Sequence, residues 1–235
     1  MNKVTINSDF RVINHVQAPT FQAISETPNL IRVSTDFAIQ HGGAAVRRFI
    51  QSLPIDWAPN TYQLTVLRDR LRPGYHPTAP GFHVDGEIGS NYGLATFLGN
   101  TVPTEHVICC MGEEGVDIDT TEFVVGPLEL EVPEIRDEIR KGFGWWHFQI
   151  ESELQTRNSE VKLISIPPNS LAKYNHHAFH RSPKARTNGN RVLCRASRVV
   201  GRLVETNFAN EVMPEDGQAY ITTETGWERV AVDEI

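Results

Sequence analysis

The sequence predicts a mainly β protein, a sandwich or barrel of short strands behind a helical lead-in. Three observations predict it. Short apolar segments separated by Gly, Pro and Asn turns fill residues 61–200; helical spacing is confined to two stretches; and no recurring strand–helix alternation supports a parallel doubly wound sheet. The first helical stretch is Asp36 to Leu53, with Val46, Phe49, Ile50 and Leu53 at helical intervals before Pro54. Within it, His41-Gly42-Gly43 reads as an interruption. The second is Pro133 to Lys141, with proline near its start and Ile135 and Ile139 four apart. Strands are expected at Thr61–Leu71, 106–111, 122–132, 146–151, 160–166, 169–180 and 191–200. In the first of these, Leu64, Val66 and Arg68 face one way and Thr65, Leu67 and Asp69 the other. A single domain over 1–235 is expected, with 1–60 as helical lead-in, about 61–200 as β core and 201–235 as a C-terminal extension.

Composition restricts the function classes. The chain has 235 residues, 40% of them hydrophobic and 22% charged, the profile of an ordinary globular protein. Its three cysteines, Cys109, Cys110 and Cys194, form neither a disulfide framework nor a Cys-based zinc site. Neither a signal-peptide core nor a membrane-length apolar run is present, so a soluble cytoplasmic protein with reduced thiols is expected. The net charge of −7 argues against a nucleic-acid partner. Charge is uneven, however: from Arg181 to Arg202 there are seven basic residues and no acidic one. Such a cluster reads either as a solvated face or as a local site for a small anion such as a carboxylate.

Three segments carry candidate chemistry. In Gly81-Phe82-His83-Val84-Asp85-Gly86 the imidazole of His83 and the carboxylate of Asp85 are two apart, so on extended backbone they share a face and offer two arms for a divalent metal. In Tyr174-Asn175-His176-His177-Ala178-Phe179-His180-Arg181, strand parity puts His176 and His180 on one face and His177 on the other. One distant histidine would complete a set of two His and one carboxylate that leaves positions open for substrate and oxygen. In Arg191-Val192-Leu193-Cys194-Arg195-Ala196-Ser197, parity puts Arg191, Leu193, Arg195 and Ser197 on one face. Arginines pointing inward must meet an anion, since an unpaired buried charge is very costly, and a planar guanidinium grips a carboxylate through two parallel hydrogen bonds.

In order and spacing these segments resemble the iron(II)- and 2-oxoglutarate-dependent oxygenases, whose signature is H-x-D/E, a distant His, and an Arg some ten to fifteen positions later. Here His83-Val84-Asp85 is followed by His180, then by Arg191 eleven positions on or Arg195 fifteen positions on. The resemblance spans roughly Thr61 to Val200. It implies a double-stranded β-helix, a jelly-roll or cupin-like barrel, with His83, Asp85 and His180 as ligands of Fe(II). It also implies Arg191 as the contact for the distal carboxylate of 2-oxoglutarate, with Arg195 and Ser197, in an R-x-S arrangement, as the alternative. Arg195 is a further candidate for an anionic part of the substrate, and His177 is the alternative distal ligand, lying fourteen positions before Arg191. The implied reaction is hydroxylation of a C–H bond in a small molecule with release of succinate and CO2. Retention of Asp85 speaks against halogenation.

The remaining features have plainer readings. His147, beside Trp145 and Trp146, belongs to a wall of buried or rim aromatics. Cys109 and Cys110 read as core, and Glu113, Glu114 and Asp117 to Asp119 as a solvated acidic loop. No P-loop, GxSxG or HExxH pattern occurs. Two other function classes fit the same residues: a cupin-fold binding or structural protein without catalysis, and a cupin metalloenzyme that does not use 2-oxoglutarate. Neither the substrate nor the oligomeric state is encoded in a motif.

Overall fold

A computed structural model of the chain describes residues 2–85, 103–132, 143–200, 208–213, 217–224 and 226–234. The expected helix at Pro133–Lys141 lies outside them. Among the described residues, fourteen strands and four α-helices alternate irregularly, and all strand pairings are antiparallel.

The largest sheet is built from β2 (Phe10–His15), β3 (Asn29–Val33), β4 (Gln63–Leu71), β5 (Thr104–Met111), β9 (Ser170–Asn175), β11 (Gly189–Val199) and β12 (Glu211–Met213), in the order β12-β3-β4-β11-β5-β9-β2. Its two faces differ as the period-two pattern requires. Leu64, Val66, Val107, Cys109, Met111, Leu171, Val192, Cys194 and Ala196 are fully buried on one face. Against them lies a helical layer, α1 (Phe21–Ser25), α2 (Thr35–His41) and α3 (Gly43–Ser52), which contributes Ile24, Ala38, Ala45, Val46 and Phe49 to the same cluster. Ser34 caps α2 by accepting from the Phe37 N–H, and the predicted helix divides at Gly42-Gly43.

The other face carries Ile108, Ala172, Tyr174, Leu193, Arg191, Arg195 and Ser197, and it packs on a smaller sheet through Phe123, Ile166 and Ala178. That smaller sheet has the order β10-β6-β8, from β6 (Glu122–Val125), β8 (Lys162–Ser165) and β10 (His180–Arg181). Beside it β1 (Asn2–Asn7) pairs with β7 (Pro127–Val132), and α4 (His147–Gln155) covers this layer with Ile150, Trp146 and Leu154. A hairpin of β13 (Gln218–Thr222) and β14 (Trp227–Ala231) joins the turn before the metal-motif segment through a bridge between Tyr220 and His76. The architecture is thus mainly β, with antiparallel sheets and few helices, and among the described residues no sheet closes on itself.

Several expectations require correction. The strand expected at 146–151 is the helix α4: Trp146, Ile150 and Leu154 recur every four residues and all enter one core cluster, so the apolar face has a helical period. The strand expected over 169–180 stops at Asn175. There the Asn175 side chain accepts from the His177 N–H and its carbonyl from the Ala178 N–H, and the chain turns before resuming at His180. The single strand expected over 122–132 is divided at Gly126, whose φ of +105° and 2.6 Å clearance between an added Cβ and the Glu160 carbonyl oxygen admit only glycine. Finally, the lead-in is not helical alone: β1, β2 and β3 lie within it and pair with core strands.

Candidate metal centre

The site forms where the segment before Gly86 meets β10. His83 and His180 face each other in an isolated antiparallel bridge, with N–H···O bonds of 3.0 and 2.9 Å running both ways. Their rings lie 4.3 Å apart. Both histidines occupy the same local motif, with a phenylalanine before them (Phe82 and Phe179) and a carbonyl two residues back. Nδ1 of His83 lies 3.2 Å from the Gly81 carbonyl oxygen, and Nδ1 of His180 lies 3.0 Å from that of Ala178. A carbonyl only accepts, so each Nδ1 carries a proton and each Nε2 is the nitrogen left to face a cation. This is the carbonyl-anchored imidazole typical of metal ligands.

Asp85 completes the group. Its Oδ2 is 3.3 Å from His180 Nε2, and ligand atoms from His83, Asp85 and His180 lie within 4.8 Å of one another. Two imidazole nitrogens and one carboxylate oxygen form a donor set that could hold a divalent cation. Electrostatics set the protonation states of His83 and Asp85. Burial, with the neighbouring His180, lowers His83 to about 4, so it is neutral at physiological pH. Burial alone would raise the Asp85 carboxyl, but the charges of Arg195 and His180 overcome it and hold the group well below the usual carboxylate range.

The Asp85 carboxylate has two further partners, both from the larger sheet. The Tyr174 hydroxyl donates to Oδ2 and the Arg195 guanidinium to Oδ1. Tyr174 is 1% exposed, stacks on His106 at 5.0 Å, and meets Phe123 at 4.8 Å. His106 is fixed in turn by Ser197 Oγ, 2.9 Å from its Nδ1, and by Thr104 Oγ1, 3.2 Å from its Nε2. Burial lowers this imidazole to about 3. Neither Tyr174 nor His106 was marked as a site residue by the sequence. The signal available was parity: β5 and β9 place them opposite each other in register, on the face that also carries Arg195 and Ser197.

The candidate arginines separate. Arg191 is fully buried, and its guanidinium donates to Asp69 Oδ2 (2.9 Å), the Asp119 carbonyl oxygen (2.6 Å) and Ser182 Oγ (3.0 Å). Arg195 is the arginine at Asp85, and its side chain is 27% exposed. Three further arginines of the basic stretch are also engaged with carboxylates. Arg181 pairs with Glu122 and Glu151, Arg186 with Asp117 and Asp119, and Arg198 with Asp56 and Glu105. The acidic loop is therefore partly a counter-charge for this stretch, while Arg202 lies outside the described residues. The His176 and His177 rings lie 4.0 Å apart, tilted, in the turn after β9; the cluster with His83 and Asp85 contains His180.

The aromatic wall secures the ligand-bearing segment. The Trp146 indole N–H donates to the Phe82 carbonyl, and the Phe82 N–H donates to His147 Nδ1 at 3.3 Å. Both backbone groups of the residue before His83 are thus held by side chains at the start of α4. His41 is exposed at the end of α2, against Phe37. Comparison with protein-family models, curated proteins and solved structures found no match.

Proposed function

We propose that the protein is an iron(II)- and 2-oxoglutarate-dependent oxygenase that hydroxylates a C–H bond of a small molecule. One observation carries the reading: His83, Asp85 and His180, nearly a hundred residues apart in sequence, converge with one ligand atom from each within 4.8 Å of the others. Two imidazoles and one carboxylate, with further positions open to cosubstrate and oxygen, are the ligand set of non-haem iron oxygenases. The facing of a larger and a smaller antiparallel sheet around this point is consistent with a double-stranded β-helix.

When bound, the iron would supply oxygen activation coupled to 2-oxoglutarate decarboxylation. The chain's own contributions follow from its geometry. Carbonyl contacts at Nδ1 orient both imidazoles, and Tyr174 orients Asp85. For the cosubstrate carboxylate we place Arg195 with Ser197, in preference to Arg191. The guanidinium of Arg191 is buried among Asp69, Asp119 and Ser182, whereas Arg195 is adjacent to Asp85 and partly accessible. Phe123, fully buried and stacked on His180, covers one side of the centre.

The test is release of succinate from 2-oxoglutarate on addition of Fe(II) under air. Wild type is expected to turn over, and His83→Ala and Asp85→Ala to lose turnover. Equal rates in all three would reject the assignment. Stoichiometric metal uptake without 2-oxoglutarate turnover would instead favour a metalloenzyme that does not use this cosubstrate.

A further inference from the structure

Asp85 is the only acidic member of the ligand cluster among the described residues, and it is shared between two neighbours with opposite consequences for a cation. Tyr174 donates a neutral O–H to Oδ2, the oxygen nearest His180. Its ring cannot drift, because it sits on a central strand between His106 and Phe123, and His106 is itself held by Ser197 and Thr104. Such an outer partner fixes the carboxylate plane without adding charge. Arg195 approaches the same carboxylate with a full positive charge on Oδ1. It stabilises ionised Asp85, but it also draws on the charge that a metal would use and repels a cation bound alongside.

We propose that Tyr174 and Arg195 act in opposite senses on the affinity of this centre for a divalent cation: Tyr174 is a positioning residue that strengthens binding, and Arg195 is a built-in competitor that weakens it. The inference rests on the metal centre proposed above, but not on 2-oxoglutarate or on turnover. Its physical core is that one partner contributes orientation and the other contributes charge. A purely structural role would lower affinity on removal of either side chain.

The experiment is anaerobic titration of the full chain with Mn(II), followed through the signal of free Mn(II), for wild type, Tyr174→Phe, Arg195→Gln and Arg195→Lys. Thermal unfolding without metal is recorded for each variant as a folding control. Tyr174→Phe keeps the ring and its packing but loses the hydroxyl, and is expected to bind Mn(II) at least tenfold more weakly. Arg195→Gln removes the charge and is expected to bind more tightly than wild type, by about fivefold or more. Arg195→Lys restores the charge and is expected to return affinity towards wild type. If Tyr174→Phe fails to fold, the two Arg195 variants decide alone, since their order depends only on charge. Affinities that fall in both Tyr174→Phe and Arg195→Gln, or that do not move, overturn the inference and leave the metal centre standing. Absence of stoichiometric Mn(II) uptake by wild type overturns both.

Discussion

At Arg191 and Asp69 the fold places an ion pair in its interior, with the guanidinium fully buried and the carboxylate 8% exposed. Removing one partner leaves the other charge uncompensated, so Arg191→Ala is expected to destabilise the protein by about 3–5 kcal/mol, read from urea unfolding. Spacing from His180 made Arg191 a candidate anion clamp, and the rule that an inward arginine must meet an anion held. The anion here is Asp69, directly across on β4, and that register was not readable from either strand alone. The His83, Asp85 and His180 cluster was more legible, because H-x-D two apart on extended chain and a histidine beyond a turn are local patterns. Tyr174 and His106 were not legible, because each is a single polar residue in an apolar run that gains meaning only from its cross-strand neighbours. Titration follows from the same burial. His83 and His147 are lowered to about 4 and His106 to about 3, in each case first by desolvation. Between about pH 6.5 and these values the unfolded chain takes up protons that the native state refuses. Stability in the absence of metal should therefore fall as pH drops through this window, by about 1.4 kcal/mol per pH unit for each excluded proton. A flat stability between pH 7 and pH 4 would contradict the neutral, buried state of these rings.

Among the elements, the segment from Gly81 to Asp85 depends on others for its shape, being secured by α4 on one side and β10 on the other. Gly81 has a φ of +109°, and an added Cβ would lie 2.7 Å from the Phe143 ring. Gly81→Ala is therefore expected to cost about 1–3 kcal/mol and to displace His83 from its bridge, so metal affinity should fall along with Tm. Unchanged Mn(II) binding in this variant would show that the strain is absorbed elsewhere. The β4, β5 and β11 strands followed their sequence patterns closely, since each alternates apolar residues against a helix layer. The error at α4 has a specific cause. Trp146, Phe148 and Ile150 satisfy a period of two as well as Trp146, Ile150 and Leu154 satisfy a period of four, and a six-residue window cannot separate them.

For the molecule as a whole, the ligand cluster lies where two sheets meet: His180 belongs to the smaller one, and Tyr174 and Arg195 reach across from the larger. A cation there would tie the layers together, and at a hundredfold excess over Kd it should add about 2.7 kcal/mol of stability. Thermal unfolding of wild type should move upward with Mn(II) and return with chelator, and His83→Ala should show neither change. No helix among the described residues is long and apolar enough to cross a membrane. The three cysteines add an internal clock. All are fully buried and free, with Cys109 and Cys194 turned to the helices and Cys110 to the opposite side of the same sheet. Burial raises the Cys109 and Cys194 thiols, so a thiol reagent in native buffer can modify them only during transient breathing of the interior. Residue-resolved alkylation rates would then time separately how often the helical blanket lifts and how often the segments carrying Ile118 and Ala185 open on the opposite side.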